Sequence, residues 1–455
     1  MAFLDRFYDA VDVLSEKFIE RLSEAVSIPS ISCSALHRKY VIEMADFLYK
    51  EMKNLNIDVE KRFLGTQVLD NQEIELPPLV IGKYGNDKNK KNVLIYGHET
   101  GRMYGRGISD DKGPVLGWLN TVEAFQNAGI DLPVNLVFCF EGMEENGSVG
   151  LDEFVKAEAQ KYFADVDYVC ISDNYWLGTK KPCLTYGLRG ISCYSVTIKG
   201  PNADLHSGVF GGIIHEPMTD LIHLFSSLVK PDGTILIPGI MDQVELLSEK
   251  ENALYDGISI TMEDIYHSAG SKTTIYDKEK CILMHRYYFK WRYPSLSLHG
   301  IEGAFSLPGI KTVIPSKVSG KFSIRLVPNM NPEDVCILVK KHLESVFLSL
   351  GSKNTLIVDY LHGSKAWVSS PDHPNYKAAE KATKKIYGVV PDFTREGGSI
   401  PVALTFEDCL NKNVLLLPMG RGDDGAHSIN EKLDKSNFIQ GTKLFGTYLY
   451  EISIS

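Results

Sequence analysis

Apolar positions at the start of the chain recur at helical spacing. Phe7, Val11, Val13, Leu14, Phe18, Ile19, Leu22 and Val26 predict a helical region from about Phe3 to Val26. Ile28-Pro29-Ser30-Ile31-Ser32 breaks it, and Tyr40 to Met52 predicts a second amphipathic helix. The pattern then changes to short, continuous apolar runs that stop at polar, glycine-bearing turns. Val93-Leu94-Ile95-Tyr96 stops at Gly97-His98, Val134 to Phe140 at Glu141-Gly142-Met143-Glu144-Glu145, and Tyr168-Val169-Cys170-Ile171 at Ser172-Asp173-Asn174. Val414 to Leu417 stops at Pro418-Met419-Gly420, just before Asp424-Gly425-Ala426-His427. Such runs predict strands buried on both faces. Between two of them Pro114 to Ala128 is helical in spacing, with Val115, Trp118, Leu119, Val122 and Phe125 on one face. Strands alternating with helices predict an α/β fold: a mostly parallel sheet with helices on both faces.

From about Gly187 the pattern changes again. Ile191 to Ile198 and Lys321 to Val327 alternate apolar with polar, as half-exposed strands do, and helical stretches lie near Met218–Leu228 and Glu333–Leu350. This predicts an α+β module, residues 187–362, inserted between the two parts of the first domain, 1–186 and 363–455. The charged run 86–92 predicts a solvated turn.

Composition adds little to this picture. The chain's 455 residues are 44% apolar and 23% charged, which suits a globular protein of two or three domains. A net charge of -10 argues against nucleic acid or an anionic membrane as the partner. No secretory signal is visible, and no apolar run is long enough to span a bilayer. The eight cysteines show no CxxC pair, so reduced, core-packing thiols and a cytoplasmic address are expected.

The chemistry gathers where the strands end. His98, Glu144, Glu145, Asp173 and His427 all follow predicted strands, and Asp110 precedes a predicted helix. Taken singly, each is more often a turn or cap residue. Together they are two histidines and four carboxylates at the carboxyl ends of α/β strands, where sites assemble. Zn²⁺ and Mn²⁺ both suit that donor set, and a pair of ions needs one bridging carboxylate.

The chain closely resembles the cytosolic nonspecific dipeptidase and carnosinase family of two-metal peptidases. The resemblance rests on Tyr104-Gly105-Arg106-Gly107 with Asp110-Asp111-Lys112-Gly113-Pro114, Glu141-Gly142-Met143-Glu144-Glu145, Ile171-Ser172-Asp173-Asn174-Tyr175-Trp176 and Asp204-Leu205-His206-Ser207-Gly208. It extends through Trp291-Arg292-Tyr293-Pro294-Ser295, Phe322 to Asn329, Arg395-Glu396-Gly397-Gly398-Ser399-Ile400-Pro401 and Asp424 to Ser428, so it covers almost the whole chain. It implies two divalent ions per subunit, Mn²⁺ or Zn²⁺, with Asp110 bridging them. His98 and Asp173 would complete one site, and Glu145 and His427 the other. Glu144 is implied as the general base, and the Asp110–Asp111 peptide as cis. The inserted module is implied as the dimerisation lid of a homodimer. His206 would reach the partner subunit's site and stabilise the oxyanion, although by itself a His before Ser-Gly reads equally well as a turn residue. Arg325 would bind the C-terminal carboxylate of a dipeptide, with Thr312 and Ser399 adding hydrogen bonds. Cys-Gly and carnosine-like dipeptides are both open as substrates.

The chain departs from that family at two places. Relatives carry an Asp two residues after the first His ligand and then a longer excursion. Here position 100 is Thr, and Thr100-Gly101-Arg102-Met103 runs straight into Tyr104. Tyr287-Tyr288-Phe289-Lys290 is extra. One lost and one gained block suggest splicing or a mis-assembled gene model. A carboxylate that supports a metal ligand is worth about 10–100-fold in affinity or activity. Hence there are two readings: a metal-dependent dipeptidase, or a catalytically impaired or dead, metal-binding dimer partner.

Overall fold

The structure, a computed structural model, describes residues 2–69, 72–98, 107–258, 260–271, 289–428 and 430–455. The strands that matter here are β1 (Asp58–Arg62), β2 (Leu79–Tyr84), β3 (Asn92–His98), β4 (Asn135–Glu141), β5 (Tyr168–Ile171), β6 (Cys183–Leu188), β7 (Gly190–Lys199), β8 (Ser295–Glu302), β9 (Lys317–Leu326), β10 (Thr355–Ser364), β11 (Trp367–Val368), β12 (Asp392–Glu396) and β13 (Val414–Leu416).

The large sheet runs β1-β2-β4-β3-β5-β13-β6-β11, with β12 also paired to β6. Its centre is parallel, β4-β3-β5-β13, and antiparallel strands flank it. Alternate residues of the central strands go to opposite faces. Val93, Ile95, Leu136, Phe138 and Phe140 join one core; Leu94, Tyr96, Val137 and Cys139 join the other. The first core lies under helices Ala2–Val13, Ser15–Ser27, Arg38–Asn54, Gly113–Asn127, Pro374–Tyr387 and Lys435–Ser453, the second under Leu151–Glu158 and Pro401–Leu410. Trp118 stacks on Phe445 with ring centroids 4.0 Å apart, which fixes helix Gly113–Asn127 against helix Lys435–Ser453.

The first predicted helix is in fact two, Ala2–Val13 and Ser15–Ser27. Leu14 leaves the helical well at φ -88° and ψ 0°, and Val13, placed on the apolar face by spacing, is 79% exposed at the break.

The chain leaves the large sheet after β6 and returns to it at β11. Between them stands an inserted α+β domain. Its antiparallel sheet runs β8-β9-β7-β10 and is backed by helices Pro217–Ser226 and Pro332–Leu350. Among the described residues no helix is long and apolar enough to cross a membrane. The seven described cysteines are free thiols, four of them buried, and Cys281 lies outside the described residues.

Candidate metal centre and active site

The parallel centre of the sheet brings the candidate ligands together. His98 is the last residue of β3. Tyr96 pairs with Ile171 of β5, so two residues further on His98 stands beside Asp173. Tyr96 also pairs with Cys139 of β4, whose continuation enters the single 3-10 turn Glu144–Asn146. His427 follows β13, at φ +64°. Asp110 sits in the irregular turn Ile108–Lys112, entered through Gly107 at φ +96° and leading into helix Gly113–Asn127. The turn is drawn close to β3 at Gly97, where a Cβ would stand 2.8 Å from Asp111 Oδ2. Lys112 anchors the same turn by donating its buried ammonium to the carbonyls of Ala25 and Ile28, both at 2.9 Å. The Asp110–Asp111 peptide is cis.

Asp110 faces both histidines at once. Its Oδ1 lies 3.2 Å from His98 Nε2 and its Oδ2 lies 3.0 Å from His427 Nε2. Asp173 Oδ1 is 3.2 Å and Glu144 Oε2 3.7 Å from His98 Nε2, while Glu145 Oε2 is 3.3 Å from His427 Nε2. Two compact groups result, His98–Glu144–Asp173 and Asp110–Glu145–His427. Ligand atoms about 2.0–2.2 Å from one ion stand roughly 3–3.5 Å from each other, which is the spacing from the histidines to Asp110, Asp173 and Glu145 here.

The donor set fits cations. His98 is 1% exposed, yet neither ring nitrogen makes a well-formed hydrogen bond among the described residues. Its nitrogen faces carboxylate oxygens at the spacing of co-ligands. Burial, helped by the charges of Asp173, Glu141 and Asp110, pushes the Glu144 carboxyl up to about 8, and burial with Asp110 pushes Asp173 up to about 7. Burial would lift Asp110 as well, but the close approach of the His427 and His98 imidazoles outweighs it and holds it well below the usual carboxylate range. Burial would depress His98, and the surrounding Asp173, Glu144 and Asp110 instead raise it. So many buried carboxylates around two imidazoles are the charge pattern that divalent cations neutralise.

The cluster opens into a cleft of about 230 Å³ lined by Asp110, Glu144, Asp173, Glu396, Ser399 and His427, among others. A larger hollow of about 640 Å³ lies at the other end of the strands, by Asn92, Asn135 and Lys412, away from both ligand groups. Arg325, on β9 of the inserted domain, donates to Ser399 Oγ at 3.0 Å, and Ser399 donates to the carbonyl of Arg189. These two predicted substrate residues therefore meet at the seam between the domains. His206 and Thr312 do not join them. His206 pairs with Val313 in a two-residue ladder, and Ser207 donates to the Thr312 carbonyl at 3.2 Å. Both are exposed on the inserted domain, and neither lines the cleft. Glu99, Thr100 and the rest of the shortened segment lie outside the described residues, as do Tyr287 and Tyr288, while Phe289 and Lys290 begin the short helix Phe289–Arg292.

Three residues at the site were not picked out as site residues by the sequence. Glu396 places a carboxylate in the cleft, and the acidic residue of Arg-Glu-Gly-Gly-Ser, at the end of β12, was the available signal. Arg189 supports the same seam, donating Nη1 to Ser295 Oγ at 2.9 Å and Nε to the Gly397 carbonyl at 3.1 Å. Glu431 is buried beneath the Asp110 turn, four residues after His427.

Residues 89–451 match the family described as peptidase family M20/M25/M40. The chain belongs to this family. It is 57% identical over 472 aligned positions to the Cys-Gly metallodipeptidase dug1 of Schizosaccharomyces pombe, covering 99% of this chain and 98% of that protein. It is 42% identical to the Beta-Ala-His dipeptidase of Homo sapiens, with 99% and 93% covered. Among solved structures, the di-peptidase Dug1p from Saccharomyces cerevisiae superposes with a TM-score of 0.92 at 49% identity, with both chains covered completely. The dug1 alignment is longer than this 455-residue chain, so at least 17 of its positions have no counterpart here.

Proposed function

We propose a division of labour for this metal-dependent dipeptidase within the cluster around Asp110. One observation carries it: the two oxygens of Asp110 point to two different histidines, 3.2 and 3.0 Å away, each with its own carboxylates. Asp110 would bridge two ions, Mn²⁺ or Zn²⁺, with His98 and Asp173 holding one and Glu145 and His427 the other. When bound, the ions would polarise the scissile carbonyl and lower the pKa of the attacking water. Glu144 is the general base. Its carboxyl is the furthest of the group from His98, at 3.7 Å, and it faces the cleft. It takes a proton from the attacking water and passes it to the leaving amine.

Arg325 and Ser399 would hold the substrate's C-terminal carboxylate, for which a guanidinium fork is well shaped. Glu396, which lines the same cleft, has the charge to attract a free amino group. A ligand gripped at both termini in about 230 Å³ is a very short peptide. Cys-Gly and carnosine-like dipeptides both meet that description. Residues 187–362 serve as the lid of a homodimer. His206, exposed and outside its own chain's cleft, serves the partner subunit's site together with Thr312 and stabilises the oxyanion there. The enzyme's address is cytoplasmic.

The reading of a dead dimer partner has no support. Both curated relatives reported above are named as dipeptidases, and the cluster keeps all five candidate ligands and Glu144 together. The deciding experiment is hydrolysis of Cys-Gly by metal-stripped protein with and without added Mn²⁺ or Zn²⁺. Metal-dependent turnover is expected, and folded protein that hydrolyses no dipeptide under any metal overturns the proposal.

A further inference from the structure

Glu431 lies outside both ligand groups and has no role in the chemistry above. It is fully buried. Its Oε1 alone accepts four hydrogen bonds: from the backbone N–H of Gly107 at 2.8 Å, Ser109 at 3.0 Å and Asp110 at 3.2 Å, and from Ser109 Oγ at 3.0 Å. No cation pairs with it among the described residues, and its Oε2 accepts no bond there.

These contacts follow from the shape of the turn. Asp110 has φ -130° and ψ 77°, and Gly107 is left-handed, so the turn's buried N–H groups lack regular helical acceptors. Buried donors need partners, and one carboxylate oxygen receives four of them. The segment that supplies Glu431 is itself braced. Lys432 reaches Asp423 and Asp424, each at 3.1 Å, and its N–H donates to the Asp424 carbonyl at 2.8 Å, while Arg421 pairs with Asp434 at 2.6 Å. The same segment carries His427. One short stretch thus presents a candidate ligand and, four residues later, grips the backbone nitrogen of the residue that would bridge both ions.

We infer that Glu431 is the positioning residue of the bridging carboxylate: it fixes the Asp110 turn against the His427 loop and so sets the distance between the two halves of the metal centre. This rests on the two-metal reading above. Because three of the four bonds come from the backbone, and the fourth from Ser109 Oγ, no substitution of Asp110 reports on them; Glu431 itself must be changed.

The test is direct titration of metal-stripped protein with Mn²⁺ alone, by calorimetry, for wild type, Glu431→Gln and Glu431→Ala. Gln keeps the shape and one acceptor oxygen but grips the turn's donors less firmly than a carboxyl oxygen, so Mn²⁺ affinity should fall about 10–100-fold, and further in Glu431→Ala. At saturating Mn²⁺ the Gln variant should regain most of its kcat with KM for Cys-Gly unchanged, which a general folding defect would not allow. If Glu431→Ala does not fold, Glu431→Gln carries the test. Wild type that takes up two ions beside a Gln variant that binds them equally tightly overturns this inference alone. Wild type that takes up none overturns the two-metal reading and this inference with it.

Discussion

The two halves of the cluster are built from the same residue types and held in different ways. His98 and Asp173 are 1% and 8% exposed and stand at the ends of adjacent parallel strands, where register aligns them. The His427 side chain is 62% exposed and stands on a loop, at φ +64°. The buried half is therefore part of the sheet, and its geometry is as stiff as the ladder that carries it. The rim half depends on loop bracing, through Lys432, Arg421 and Glu431. Ligands of equal chemistry should thus hold their ions unequally, with the inner ion bound more tightly and exchanged more slowly.

The largest effect belongs to the residue the halves share. Asp110→Ala should abolish measurable turnover and leave at most one ion per chain by metal analysis. Two ions retained would show that the halves are independent. Glu144→Gln comes next. Turnover should fall by roughly 10²–10⁴-fold while both ions remain bound; loss of an ion instead would make Glu144 a ligand of the inner half, as its grouping with His98 and Asp173 permits. Then the halves can be set against each other. His427→Ala should lose the outer ion and keep the inner one. His98→Ala should release the inner ion and also lower the melting temperature, since it leaves buried Asp173 and Glu144 facing each other without their imidazole. Equal metal loss and equal stability in the two variants would remove the distinction.

The contrast between the halves also marks what could be read in advance. His98, Glu144, Glu145, Asp173 and His427 were legible because each follows an apolar run, and parallel strands deliver their ends to one place. The helices at Arg38–Asn54 and Gly113–Asn127 were legible from spacing to within two residues. The division at Leu14 was not, because apolar periodicity continues across it while the backbone turns out of the helix at one residue. Glu431 was invisible for another reason: its partners, three of four of them backbone N–H groups, lie more than 320 positions away, and main-chain donors leave no mark in a sequence. The seam formed by Arg189, Arg325 and Ser399 joins two domains, so pattern within either one could not show it.

The shortened segment after His98 offers a smaller, constructive test on the inner half. His98 Nδ1 has no hydrogen-bond partner among the described residues, although buried imidazole ligands are ordinarily oriented through that nitrogen. Replacing residues 99–106 by the corresponding segment of the dug1 relative should raise inner-site affinity, and turnover at limiting metal, by about 10–100-fold. No gain would mean that the inner half, set by strand register, needs no such support.

The smallest effect should come from outside both halves. Ser399→Ala removes the hydroxyl that accepts from Arg325 and donates to the Arg189 carbonyl, but it touches no candidate ligand. A hydrogen bond to a charged group contributes about 1.5–3 kcal/mol, and the lower end applies at this half-buried seam, so the freed guanidinium should hold a substrate carboxylate roughly tenfold less well. That predicts KM for a dipeptide raised roughly tenfold, with metal content unchanged and kcat nearly so. The loss should shrink for a dipeptide amide, which has no carboxylate for Arg325 to hold. An equal loss for acid and amide would place the Arg325–Ser399 seam in the packing between domains rather than in substrate recognition, leaving the two halves of the cluster to select the peptide without it.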